Sequence, residues 1–264
     1  MTTNKYLVLE LPFNAFQIYL SDKGNDTSLD LPSLLREAST NFKRSLPKDH
    51  IYTLYNKETL ADFIKSNFDK EVFKAYEKLK PYSYKADLGK YCIAYKYGGW
   101  YSDMTLKIIC QLPPMDSDCE LICFRDLGAG FNMQALNYGM QASLFYAKRN
   151  NKVFQKAIDY ILENCRTENY GKTPVCPTGP GVFGRAYAYC GAQSNHVVGS
   201  YVPLTPNLPI KNRAYLVPTG QIFALHKDAW NFGSEPGDLS KFGTKGTNNY
   251  VSMYFSKDIY ETSG

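Results

Sequence analysis

The sequence reads as one α/β domain, residues 1–264, with loops gathered over a site and a loop-rich C-terminal third. Three observations point there. Short apolar runs alternate with helical stripes through the first half of the chain. From residue 171 onward glycine and proline become dense, so loops and short strands are expected to dominate. The bulk composition, 264 residues with 44 % hydrophobic and 21 % charged, is that of a globular protein.

Each element has its own signal. Residues 6–20 read as β structure, with Phe16-Gln17-Ile18-Tyr19-Leu20 as the second apolar run, closed by the polar turn Ser21 to Asp26. Leu34, Leu35 and Ala38 suggest a short helix ahead of a strand at 51–55. Leu60, Phe63, Ile64 and Phe68, then Val72, Phe73, Tyr76 and Leu79, fall on the i, i+3, i+4 stripes of two helices. Pro81 ends the second, and Ser83 is placed to cap a third with the stripe Tyr84, Leu88, Tyr91, Cys92 and Tyr95. Gly98-Gly99 stops that helix, and 100–106 reads as a strand leaving the turn. Residues 121–124 make another short strand. Val153, Phe154, Ala157, Ile158, Ile161, Leu162 and Cys165 mark an amphipathic helix capped by Asn150 or Asn151. Ile222–Leu225 is the clearest strand of the last third.

Composition narrows the function. Thirty Lys+Arg against 25 Asp+Glu give a net charge of +5, with no basic run longer than two residues, so nucleic acid is not expected as a partner. An anionic small substrate, or peripheral contact with an anionic membrane, fits that balance. No export signal is read: the first apolar stretch, Tyr6 to Leu11, is short and contains Glu10. No segment reaches the roughly 20 apolar residues of a membrane span. Seven cysteines form an odd set in which Cys119 and Cys123 have no second pair to complete a zinc site. Reduced thiols and a cytoplasmic location are expected. The 22 Tyr and 15 Phe suit either an aromatic core or a surface that meets sugars and bases.

The informative block is S-Y-K-A-D-L-G-K-Y-C-I-A-Y-K-Y-G-G-W-Y-S-D-M-T-L, residues 83–106. A helix presents Asp87 and Lys90 one turn apart, a Gly-Gly turn reverses the chain, and a strand carries Asp103 outward. A carboxylate at the end of a buried strand needs a partner. On pattern alone, Asp87 and Lys90 also fit a surface ion pair.

This block resembles the sugar-binding region of DXD-motif glycosyltransferases, glycosyltransferase family 32 and its relatives among capsule enzymes and the glucosylating domain of large clostridial toxins. Their pattern runs S-D-x-x-R-x-x-x-L-x-x-x-G-G-x-Y-x-D-x-D. Asp87, Gly98-Gly99, Tyr101 and Asp103 fall at matching positions, whereas Lys90 stands in place of Arg and Ala86 in place of Ser. Weaker matches are Tyr19 in the opening strand, Asn137 in L-N-Y-G-M-Q-A, Thr178-Gly179-Pro180 for the T-G-P signature, and His226 with Trp230 as a shortened terminal H…S-W motif.

The resemblance implies a GT-A-like fold, a nucleotide-binding mixed sheet flanked by helices. It implies a hexosyltransferase, retaining in mechanism, that uses a nucleotide-sugar donor (UDP-sugar favoured, GDP-sugar possible) and a glycan or lipid-linked glycan acceptor. Capsule or lipopolysaccharide assembly at the inner face of the membrane is the expected setting; the alternatives are a toxin-type protein glycosyltransferase and a non-catalytic sugar-nucleotide-binding module. Tyr19 is expected to stack on the base, Asp87 and Lys90 to grip the sugar, Asp103 to fix ribose and sugar, and Asn137, Thr178, Gly179 and Trp230 to support the donor.

A divalent metal, Mn²⁺ or Mg²⁺, is also implied, on Asp103 and His226. One departure bears on it: the second acid of the DXD motif is Thr105. A neutral hydroxyl is a poor substitute for a carboxylate on a hard cation. Lys90, Lys107, Arg185 and Lys227 are the cations available to neutralise a leaving diphosphate instead.

Overall fold

The computed structural model of the chain describes residues 14–113, 118–127, 138–205, 212–231 and 237–262. Its first half runs β1 (Asn14–Ile18), α1 (Ser33–Ser45), β2 (Ile51–Tyr55), α2 (Lys57–Asn67), α3 (Lys70–Lys78), α4 (Tyr82–Tyr97), β3 (Gly99–Ser102), β4 (Lys107–Ile108) and β5 (Leu121–Asp126). Then come β6 (Met140–Ala147), α5 (Lys152–Thr167), α6 (Pro180–Cys190), β7 (His196–Pro203), β8 (Arg213–Leu216), β9 (Ile222–Leu225), α7 (Lys227–Trp230) and α8 (Tyr250–Phe255). This is the expected α/β architecture, a mixed sheet flanked by helices.

Among the described residues the sheet has nine strands in the order β2-β1-β3-β6-β5-β7-β8-β9-β4. β1 lies parallel to both β2 and β3, and β5 is parallel to β7; the remaining pairs are antiparallel. Because side chains alternate across a strand, each central strand feeds two cores. Phe16, Tyr101 and Phe145 pack beneath α2 to α6, while Ala15, Trp100, Leu144 and Tyr146 pack on the opposite face with Phe42 and Leu46 from the region of α1. Gln17, fully buried within β1, is satisfied by donating to the Ser102 carbonyl at 3.2 Å and accepting from the Tyr52 hydroxyl at 3.0 Å.

α4 is the helix that matters for the site. It is sandwiched between the other helices and the sheet, so residues 88–94 are all buried. Its start is held from afar: the Tyr82 N–H donates to Asn248 Oδ1 at 2.8 Å, and Ser83, expected as the cap, lies inside the helix. At its other end Gly98 (φ 69°) and Gly99 (φ 107°) adopt the left-handed region. A Cβ on Gly99 would stand 2.0 Å from the Asn14 carbonyl oxygen, so this turn admits only glycine and brings β3 directly against β1.

Several expectations change. The strand expected at 100–106 stops at Ser102, and residues 103–106 form a turn closed by Leu106 N–H to the Asp103 carbonyl at 3.2 Å. Met104 and Leu106, which extended the apolar pattern, pack into two separate clusters instead. β6 went unmarked because nearly every residue is buried on both faces, which erases the period-two signal. The last third also holds more regular structure than its glycine and proline content suggests, including the eleven-residue α6. α5 is as expected, with Asn151 as its cap, accepting from the Val153 N–H at 3.0 Å. Of the β structure expected at 6–20, residues 6–13 lie outside the described residues. All seven cysteines are free thiols. Among the described residues no helix is long and apolar enough to cross a membrane.

Candidate functional site

A cleft of about 270 Å³ opens at the carboxyl ends of β1 and β3, the position where open α/β sheets receive ligands. β1 delivers Tyr19 to its wall, α4 delivers Asp87 and Lys90, and the turn after β3 delivers Asp103 and Thr105. Gly179 comes from the start of α6, and His226 and Lys227 from the junction of β9 with α7. Seven of the residues singled out in the sequence therefore share one wall system: Tyr19, Asp87, Lys90, Asp103, Thr105, Gly179 and His226. Asn137 lies outside the described residues.

Asp87, Lys90 and Asp103 form one electrostatic unit. Lys90 is 4 % exposed, with Nζ 2.7 Å from Asp87 Oδ1, 3.6 Å from Asp103 Oδ1 and 2.9 Å from the Ala142 carbonyl. Its ammonium also sits 4.9 Å from the centre of the Tyr101 ring. Burial opposes the ammonium, but Asp103 and Asp87 more than offset it, so its pKa is raised and it stays charged. For Asp87, burial is the larger influence and raises its pKa against the pull of Lys90 and Thr178. The surface-pair alternative is thus set aside: the pair is buried. Thr178 lies behind Asp87 and donates from Oγ1 to its Oδ2 at 2.7 Å. Tyr101 donates its hydroxyl to Asp103 Oδ1 at 2.5 Å. Asp103 itself remains 38 % exposed at the side chain, the open end of the chain of contacts.

A second cluster beside the cleft is built around Asp228. Arg213 donates to it from Nε at 2.8 Å and again from Nη2. His226 Nδ1 stands 3.0 Å from Asp228 Oδ1, near enough for charge pairing but off the line of a hydrogen bond. Burial alone would raise the pKa of Asp228; His226 and Arg213 hold it well below the usual carboxylate range. Burial pushes the His226 pKa down against the pull of Asp228, which favours the neutral imidazole. Arg213 gave no signal in the sequence, because an isolated arginine at the start of a short strand matches no motif.

Trp230 does not line the cleft. Its Nε1 donates to the Thr105 carbonyl at 3.0 Å, and its ring meets Phe242 edge-on at 5.4 Å, so it pins α7 against the turn that carries Asp103 and Thr105. Of the four cations considered for leaving-group neutralisation, Lys90 and Lys227 line the cleft. Lys107 instead lies over the Trp230 ring, and Arg185 stacks on Tyr160 at 3.7 Å.

With this geometry in place, comparison with known proteins is informative. Residues 18–119 match the family described as the glycosyltransferase sugar-binding region containing the DXD motif. This part of the chain is similar to that family. The chain is also similar to an uncharacterized glycosyltransferase of Acanthamoeba polyphaga mimivirus, 36 % identical over 119 residues that make up 42 % of this chain and 40 % of that protein. The chain thus matches well under half of that relative's length. Among solved structures, the PaToxG glycosyltransferase aligns at 15 % identity and a TM-score of 0.48, covering 67 % of this chain and 68 % of that one.

The matched stretch contains Asp103-Met104-Thr105, which resembles the DXD motif with a threonine at its third position. The described donors do not by themselves make a divalent-metal site. Asp103 supplies one carboxylate already engaged by Tyr101 and Lys90, Thr105 is neutral, and His226 is turned to Asp228. Among the described residues no group of three or more His, Cys, Asp or Glu is placed to hold a metal.

Proposed function

We propose that the cleft binds a nucleotide sugar and that the chain transfers its hexose to a glycan acceptor. The observation that carries this reading is the unit Thr178–Asp87–Lys90–Asp103, which rises from a buried base to an exposed carboxylate at the mouth of the cleft. Two fixed carboxylates suit a polyol, since each accepts hydrogen bonds from hydroxyl groups and the buried ammonium keeps both in place.

In this reading Asp103 accepts from ribose and sugar hydroxyls, Asp87 and Lys90 hold the sugar, and Tyr19 offers its ring to the base. Thr178 and Gly179 support the sugar from beneath. A Cβ on Gly179 would approach Asp87 Oδ2 to 3.3 Å, so glycine here leaves the carboxylate room. Departure of a nucleoside diphosphate builds negative charge, and the chain answers it with preorganised groups in a partly dry cleft. We name no general base; a retaining outcome, a UDP-sugar donor and a lipid-linked or polysaccharide acceptor at the inner face of a membrane extend the same proposal. The whole-chain assignment, one domain over residues 1–264, belongs to it as well.

Thr105 favours a second reading, in which the chain binds a sugar nucleotide without turning it over. A thermal-shift panel of nucleoside mono- and diphosphates with uracil and guanine bases tests the shared premise, because a ligand of the native state raises the unfolding midpoint. A saturable rise with a diphosphate is expected. A panel with no response overturns both readings.

A further inference from the structure

Tyr250 reaches the cleft from the C-terminal segment, which no motif of the sequence marked. We propose that its hydroxyl donates a hydrogen bond to the sugar of a bound nucleotide sugar, so that Tyr250 sets the preference of the cleft for the sugar nucleotide over the bare nucleoside diphosphate. This rests on the donor reading above and adds a specificity-determining contact to its sugar end.

Three observations support it. First, position: Tyr250 opens α8 and lines the cleft together with Asp87, Lys90 and Asp103. Its hydroxyl lies within Coulombic reach of both carboxylates and of Arg213. Second, rigidity. The preceding Asn248 accepts from the Tyr82 N–H at 2.8 Å and donates to the Lys80 carbonyl at 3.2 Å, and the Gly246 carbonyl accepts from the Asp22 N–H at 2.7 Å. Asn249 then caps α8, accepting from the Val251 and Ser252 N–H groups at 2.9 and 3.1 Å. The Tyr250 ring packs on Tyr84, with centroids 5.6 Å apart, and Tyr84 is itself buried and bonded to the Pro174 carbonyl. A hydroxyl held by its ring and by its chain neighbours loses little freedom when a ligand arrives.

Third, chemistry. Neighbouring tyrosines direct their hydroxyls to the protein: Tyr84 to the Pro174 carbonyl, Tyr101 to Asp103, Tyr254 to the Gly171 carbonyl and Tyr260 to the Asn169 carbonyl. Among the described residues the Tyr250 hydroxyl, on the cleft wall, has no hydrogen-bond partner. Tyrosine with its ring packed and its polar tip open is suited to a ligand that carries hydroxyls. Burial is the main influence raising its pKa, and Asp87 and Asp103 add to it, so the phenol keeps its proton and can donate at neutral pH. Carboxylates only accept. A sugar hydroxyl that donates to one of them still has lone pairs to fill, and a phenol O–H beside the carboxylates fills one.

Isothermal titration of UDP-glucose, UDP-galactose, GDP-mannose, UDP and GDP into wild type and Tyr250→Phe, with Mn²⁺ present, tests the inference without recourse to turnover. Phenylalanine keeps the ring on Tyr84 and removes only the oxygen, and the unfolding midpoint of the variant checks its fold. For a sugar nucleotide that wild type binds, the affinity is expected to fall about threefold to tenfold in Tyr250→Phe. The affinity for the matching diphosphate should stay within about twofold. An unchanged affinity for the sugar nucleotide overturns the inference and leaves the donor reading standing. The same holds for an equal loss with the diphosphate, which would set Tyr250 against the nucleotide and not the sugar. Wild type that binds a diphosphate but none of the three sugar nucleotides overturns it too. If wild type binds nothing in the panel, the donor reading falls and this inference with it.

Discussion

Thr178 Oγ1 donates to Asp87 Oδ2 at 2.7 Å, tying the T-G-P turn ahead of α6 to the middle of α4 across 91 residues of sequence. The hydroxyl is fully buried and the carboxylate nearly so, at 13 % side-chain exposure. Two segments that looked independent in the sequence are thereby one piece of the site. Deleting the donor leaves one oxygen of a buried carboxylate without that partner, so Thr178→Val should destabilise the fold by about 1–3 kcal/mol. Thr178→Ser should recover most of it. Urea unfolding of the three proteins measures this; equal midpoints for Val and Ser would show that the contact contributes nothing.

Lys90 is the keystone of the acidic pair. Removing a buried cation strands both Asp87 and Asp103, and breaking such a pair from one side costs about 3–5 kcal/mol. Lys90→Met should therefore destabilise strongly, and Asp87→Asn in the same molecule should restore part of the loss, because fewer charges remain uncompensated. A double variant less stable than the sum of the single effects would contradict the unit described here.

The pH response has a defined sign. Burial lowers the pKa of His226, and of His50 and His196, below the ordinary histidine value. As pH falls through about 6.5, the unfolded chain takes up protons that the folded chain does not, so stability falls with acidification in this window. The depressed Asp228 acts lower on the scale, where its contribution is lost only as pH drops through the carboxylate range and below. Denaturant midpoints at about pH 7.5 and about pH 5.5 should show the acid loss, and His226→Asn should flatten it in part. A midpoint that rises on acidification would reverse the sign argued here.

How much of this could be read from the sequence depended on whether the signal was local. The α5 cap, the Gly98-Gly99 turn and the helical spacing of Asp87 and Lys90 are properties of short segments, and they appear where the pattern placed them. Burial of Lys90 was not legible, because it follows from α4 being covered on all sides by elements distant in sequence. Strand β6 was hidden for the related reason that double-sided burial removes alternation. Trp230 was placed near the donor by motif, whereas its indole is turned to the Thr105 carbonyl and shapes the site from behind. Arg213 and its bond to Asp228 span fifteen residues with no recurring spacing, so only the folded chain reveals them.

The central claim is that Asp103 meets an activated sugar in the cleft it borders. Release of nucleoside diphosphate from UDP- and GDP-sugars, compared between wild type and Asp103→Asn, tests it most directly, since the amide keeps the size of the carboxylate and removes its charge. The account predicts slow release by wild type and a loss of about a hundredfold or more in the variant, with its unfolding midpoint little changed. Equal release by the two proteins would contradict it.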